Sequence, residues 1–238
     1  MNYEPEYVGR RYATAAEANL DERAAFLVRT YLHLVGAVFA FVLLEAAFFA
    51  SGVADVVAKM TFSSGRFGWL VVLGAFVAVS WIADRWARSD ASQGMQYAGL
   101  GLYVVAEAVI FLPLLWLASV VDPGAIPTAG LVTLVLFGGL TGIVFLTRRD
   151  FSFLRGILGV AALGAWAVVI ASAIFGWTLG VLFSGAMIVL AGGYILFHTS
   201  NILHHYRPDQ HVAASLALFA SVGLLFWYVL RVFLGSRR

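Results

Sequence analysis

The chain has 238 residues, of which 62% are hydrophobic and 12% charged, with a mean hydropathy of +0.90 and a formal charge of +2. Ordinary globular domains carry about 25% charged residues, so a water-soluble enzyme or binding module is excluded and one membrane domain is the bounded answer. With no cysteine, disulfides, thiolate chemistry and cysteine-ligated metals are excluded too. The mild basic excess of such a chain reports loop topology rather than nucleic-acid binding.

The first 25 residues are polar and charged and lack the short apolar core of a signal peptide, so they read as a cytoplasmic tail. Seven apolar stretches follow, each long enough to cross the hydrocarbon layer as a helix. Their expected limits are Phe26 to Ala50, Phe67 to Ala83, Tyr97 to Val120, Thr128 to Leu146, Ile157 to Phe175, Leu179 to Thr199 and Val212 to Phe233. Residues 26–234 thus form a transmembrane domain, and 235–238 a short basic tail. Continuous apolar runs, not two-residue alternation, choose helices over a barrel, so the fold class is all-α, a seven-helix membrane bundle.

Ten of the fifteen basic residues fall on one side of this arrangement: Arg10, Arg11, Arg23, Arg29, Arg85, Arg88, Arg148, Arg149, Arg155 and Arg207. Lys59, Arg66, Arg231, Arg237 and Arg238 fall on the other. The excess sets the N-terminus in the cytoplasm, and an odd number of spans sets the C-terminus outside. Gly138 and Gly142, four apart, and Ala161 and Ala165, likewise four apart, offer small surfaces for close helix contact. Pro113 removes a hydrogen bond inside the third span, where a kink is expected.

Ionisable residues at membrane depth are expensive, and each is a functional-site hypothesis. Glu107 lies about 15 Å from the start of its span, near the midplane, and reads either as a proton-binding site or as a quiet neutral acid. Glu45 and Arg231 lie at comparable depth near the outer ends of the first and last spans; they are expected either to pair or, for Arg231, to snorkel to the interface. On the last span Ala214, Ala217, Ser221, Leu224, Tyr228 and Arg231 make a small, polar, bundle-facing stripe. Leu218, Leu225, Val229 and Val232 are expected to face lipid or a greasy neighbour.

The segment Leu196 to Ser221, LFHTSNILHHYRPDQHVAASLALFAS, followed by Leu224 to Arg231, LLFWYVLR, resembles the sixth and seventh helices of the Bax inhibitor-1 family. There the family pattern is an apolar run ending in Tyr-Asp-Thr-Gln, a polar turn, Ala-Ala-Leu-x-Leu-Tyr-Leu-Asp and a closing Leu-Arg. Phe26 to Tyr31, FLVRTY, resembles the family's approach to its first span, and Leu146 to Ser152, LTRRDFS, its charged loop after the fourth. The resemblance implies a divergent bacterial-type member of the inner membrane, with the family's seven-helix fold. In relatives proposed as calcium or cation leaks, two facing aspartates of the last two helices share a proton as a pH-sensitive latch. His198 and Ser221 stand at those positions here, while Thr199 and Arg231 match the family motif. Two neutral side chains cannot reproduce the carboxylate charge switch.

Imidazole titrates near neutral pH, so His198, His204, His205 and His211 offer either a different switch or a solvated loop. His204 and His211 have loose zinc-ligand spacing, with Asp209 as the neighbouring carboxylate; no metal or cofactor is assigned. Ser221, His198 and Glu107 are the residue types of an intramembrane hydrolase, but the reading here is that the chain is not an enzyme. Gly99-x-Gly101 lies within a span and does not open a phosphate site. Two functions remain. One is an accessory or regulatory subunit lying in membrane lipid and binding a larger membrane protein assembly; the other is a cation leak, passing calcium or protons past Glu45, Glu107, His198, Ser221 and Arg231. The missing aspartate pair favours the first.

Overall fold

A computed structural model describes residues 14–90 and 92–235. Arg10 and Arg11 of the expected N-terminal tail and Arg237 and Arg238 of the C-terminal tail lie outside the described residues. Eight helices are present among those described: α1 (Leu20–Ala50), α2 (Val53–Ser63), α3 (Gly65–Ala87), α4 (Gln93–Val121), α5 (Ala125–Thr147), α6 (Leu154–Phe175), α7 (Val181–His204) and α8 (His211–Gly235). Seven are long and apolar enough to span a bilayer, and they coincide with the seven expected stretches. Each runs beyond its apolar core, because polar residues at the interface still complete helical turns. Asn19 accepts the Glu22 amide at 2.8 Å to start α1, and Ser92 accepts that of Met95 at 3.2 Å to start α4.

Helix α2 was not expected. Gly52, at φ +79°, breaks the chain after α1 in a left-handed conformation open chiefly to glycine, and eleven residues then form a separate helix too short to span. Asp55 ties it down, pairing with Lys59 at 2.5 Å and accepting the Trp116 indole N–H of α4 at 3.2 Å.

The last helix is the centre of the bundle. It packs against α1, α3, α4, α5 and α7, while α6 lies at the periphery against α7 and α3. Leu218, Leu225, Val229 and Leu230 are all at most 3% exposed. Of the two surroundings expected for that side of α8, lipid or a greasy neighbour, Leu218, Leu225 and Val229 meet the neighbour, while Val232 is half-buried. Aromatic edges fill the core around it, with Phe111 against Trp227 at 5.0 Å and Phe41 against Phe111 at 5.2 Å between ring centres.

The expectation for Gly138 and Gly142 is corrected. A Cβ at either meets nothing within 4 Å, and Gly138 is exposed. Close approach occurs instead at Gly99, where a Cβ would lie 2.5 Å from the Ala83 carbonyl and the Ala87 nitrogen, and at Gly193, 2.7 Å from Leu158. Helix α4 runs without interruption through the buried Pro113.

The charged loop between α5 and α6 is clamped to α7 by one buried hydroxyl. Ser200 is fully buried and its Oγ accepts the Phe151 amide at 2.8 Å. Ser200→Ala leaves that amide unsatisfied, so a loss of about 1–3 kcal/mol is expected, read as earlier thermal unfolding in detergent; an unchanged midpoint would show that the clamp is idle.

Candidate functional site

Glu107 lies in the middle of α4, 3% exposed, on the face that α4 turns toward α8. Opposite it α8 carries Gly223, and a Cβ there would overlap the Glu107 carboxyl. The acid is seated directly on the backbone of the central helix, in space that only glycine leaves free. Its Oε2 has no hydrogen-bond partner. Beside it opens a cavity of about 320 Å³ lined by Tyr103 and Phe111 of α4, Leu190 and Tyr194 of α7, and Leu224 and Trp227 of α8. A carboxyl at midplane depth without a partner, facing free space, has the chemistry to hold a proton or a cation.

From Glu107 a line of polar side chains descends toward the end of the bundle that holds the α3–α4 and α7–α8 connections. Tyr103 is one turn below on α4, near Ser80 and Asp84 of α3, and the Ser80 hydroxyl is buried without a hydrogen-bond partner. Ser80, Asp84 and Arg88 occupy successive turns of α3. Asp84 and Arg88 are paired at 2.8 Å, and the Arg88 guanidinium lies 5.9 Å from the Tyr206 ring in the α7–α8 loop. His198 approaches the same rung: its charged neighbours are Arg88 and Asp84, its ring stacks on Tyr194 at 5.8 Å, and its Nδ1 has no partner. Glu107 and His198 thus meet the same line at different depths, joined through Tyr194, which lines the Glu107 cavity.

The other expected residues are placed differently. Ser221 is 4% exposed and donates to the carbonyl of Ala217 on its own helix at 2.8 Å. No hydrogen bond joins it to His198, so a hydrolase relay through Ser221, His198 and Glu107 is not assembled; a nucleophile needs its base within reach. Thr199 is fully buried near Tyr31 of α1 and Thr141 of α5, and none of the three hydroxyls has a hydrogen-bond partner, so two of the family-like segments, those holding Tyr31 and Thr199, come together between α1, α5 and α7. The Glu45 and Arg231 pair is corrected. Both Glu45 oxygens are buried without partners, whereas Arg231 donates from Nη2 to the Leu179 carbonyl at 2.9 Å. Equal depth along two helices does not place side chains on facing sides.

The histidines also separate. His204 Nδ1 contacts the Ser200 carbonyl at 2.9 Å, and the His211 ring sits 4.9 Å from His33 of α1. Among the described residues no three His, Cys, Asp or Glu side chains converge as a metal ion would require. In the loops, His205 meets Asp150 at 3.2 Å. The backbone amide of Ser152 holds the Asp150 carboxyl below the ordinary range, with the Ser152 side chain and His205 assisting. Burial pushes the Tyr206 phenol above its ordinary value.

Tyr103, Ser80, Asp84 and Gly223 were not singled out from sequence. For the first three the signal is the spacing of four that puts Ser80, Asp84 and Arg88 on one face of α3, and Tyr103 and Glu107 on one face of α4.

The comparisons with known proteins cover this architecture. Residues 23–238, every spanning helix but the first turn of α1, match the family described as "Inhibitor of apoptosis-promoting Bax1". Bax inhibitor 1 of Schizosaccharomyces pombe is 34% identical over 106 residues, 42% of this chain and 39% of that protein. A BI1-like protein of Arabidopsis thaliana is 30% identical over 110 residues, 43% and 42% of the two chains. Protein lifeguard 4 of Mus musculus is 25% identical over 108 residues, 43% and 44%. The aligned segments span less than half the length of each relative. Local identity of this kind, together with a family match running almost the full length of a seven-span helical bundle, has one reading: this integral membrane protein belongs to the Bax inhibitor-1 family.

Proposed function

We propose that the chain is a cation leak, for calcium or protons, in which Glu107 is the ion-binding group and the line Tyr103, Ser80, Asp84, Arg88 with His198 leads from it to the cytoplasmic loops. The observation that carries this is the carboxyl seated on Gly223, 3% exposed, with one oxygen unpartnered beside a cavity of about 320 Å³. Loss of the family's aspartate pair argues for an accessory subunit only while no other acid reaches the last two helices. Glu107 reaches α8 directly, so the charge that gating needs is supplied from α4. The N-terminus is cytoplasmic in this reading, since Arg23, Arg29, Arg85, Arg88, Arg148, Arg149, Arg155 and Arg207 gather at one end of the bundle.

Purified protein in liposomes loaded with a pH- or calcium-sensitive dye is expected to pass cations, and Glu107→Gln to lower the rate roughly tenfold, about 1.4 kcal/mol, with unchanged elution as a folded particle. Flux from wild type equal to that of empty liposomes overturns the leak and restores the accessory subunit. Equal flux from wild type and Glu107→Gln removes the acid from the path.

A further inference from the structure

A second cleft, about 550 Å³, lies toward the other end of the bundle from the polar line, bounded by α3 and α6 with α8 at its floor. Three indoles border it: Trp69, Trp177 and Trp227, the first and last stacked at 5.9 Å. Tryptophan collects where hydrocarbon meets headgroups, so this mouth sits at the depth of the membrane interface. Arg231 closes the rim. Its guanidinium has five donors, one Nη2 hydrogen bond goes to the Leu179 carbonyl at 2.9 Å, and no salt bridge to it forms among the described residues.

This cleft and the Glu107 cavity share Leu73, Val169, Trp227 and Tyr228 in their walls, so they adjoin along the seam between α3 and α6. Its edges are open to the bilayer, with Val77 at 44% and Trp166 at 39% exposed. Arg231 and Gly223 are eight residues apart on α8, about 12 Å along the axis. That is close to one leaflet of a ~30 Å hydrocarbon layer. An interfacial cation above an apolar slot one leaflet deep has the charge and shape of a phospholipid site.

We propose that the α3–α6 seam binds one phospholipid with an anionic headgroup, its phosphodiester on Arg231 and an acyl chain running past Trp227 toward the Glu107 cavity. The guanidinium fork suits a phosphate geometrically, and the charge discriminates against a zwitterionic headgroup that carries its own cation. The site stands independently of the leak.

The test measures tryptophan quenching in bilayers by brominated phosphatidylglycerol against equally brominated phosphatidylcholine at the same mole fraction. Wild type is expected to show a roughly fivefold preference for the anionic lipid, the scale of one basic residue at a membrane surface. Arg231→Gln should erase the preference and Arg231→Lys should keep part of it. Ala173→Phe, which narrows the cleft and leaves the charge in place, should lower the excess quenching even where Arg231→Gln fails to fold. Glu107→Gln should leave the preference intact, separating this site from ion passage. Equal quenching of wild type by both lipids, or an undiminished preference in Arg231→Gln or Ala173→Phe, overturns the proposal.

Discussion

Replacing Gly223 by alanine is expected to evict the Glu107 carboxyl from its seat and to lower cation flux roughly tenfold, the same loss expected of Glu107→Gln. The cause is volume alone. A methyl group at residue 223 would occupy the space now held by the carboxyl oxygen and carbon of Glu107, and the α8 backbone, packed on five helices, is the less mobile partner. The acid side chain yields and rotates into the adjoining cavity, so the bundle assembles at an expected cost of about 1–3 kcal/mol. Because both substitutions disable one group, Glu107→Gln with Gly223→Ala should show no further loss of flux beyond either alone. Stability gives a separate reading. Glu107→Ala with Gly223→Ala places one methyl where a carboxyl was removed, so the double variant should be less destabilised than the sum of the singles by about 0.5–3 kcal/mol. Additive stabilities together with wild-type flux in Gly223→Ala would show that the two residues do not touch.

The seven spans were legible because lipid imposes one rule, an apolar helix of about twenty residues, and the chain obeys it at each crossing. Glu107 was legible for the complementary reason: a carboxyl ten residues inside such a run has no water to meet. What faces it was not. Depth along a helix follows from counting, but azimuth between two helices depends on packing, and the Glu45 and Arg231 expectation failed at that step. The same gap hid Gly223. Twenty-four glycines are scattered through the chain, and nothing local separates Gly223, under the acid, from Gly138, which faces open space. That Leu218, Leu225 and Val229 meet protein and not lipid was not legible, because residues facing lipid and residues facing leucine are chosen by the same hydrophobicity. That an acid lies against α8 where His198 and Ser221 bring none was not legible, because Glu107 belongs to a helix more than a hundred residues earlier in the chain.

A larger effect on stability is expected at Gly99, where no side chain can yield. Helices α3 and α4 cross there so closely that an added Cβ would lie 2.5 Å from both the Ala83 carbonyl oxygen and the Ala87 nitrogen, and 3.0 Å from the Trp86 Cβ. Carbon atoms rest at about 3.5–4.0 Å, so the two backbones must part by about 1 Å to admit the methyl group. Two of the three contacted residues, Trp86 and Ala87, belong to the last turn of α3, between Asp84 and Arg88, so that displacement moves the ion pair that ends the polar line. Gly99→Ala is therefore expected to cost about 3 kcal/mol, the upper part of the overpacking range, and to reduce folded protein recovered in mild detergent. Gly101, two residues on, meets nothing within 4 Å, and Gly101→Ala in the same helix should be neutral or slightly stabilising through better helix propensity. The pair of variants isolates contact from propensity: equal thermal midpoints for both would mean that α3 and α4 are not held at this crossing, and the ladder of Ser80, Asp84 and Arg88 would lose its register against Tyr103 and Glu107.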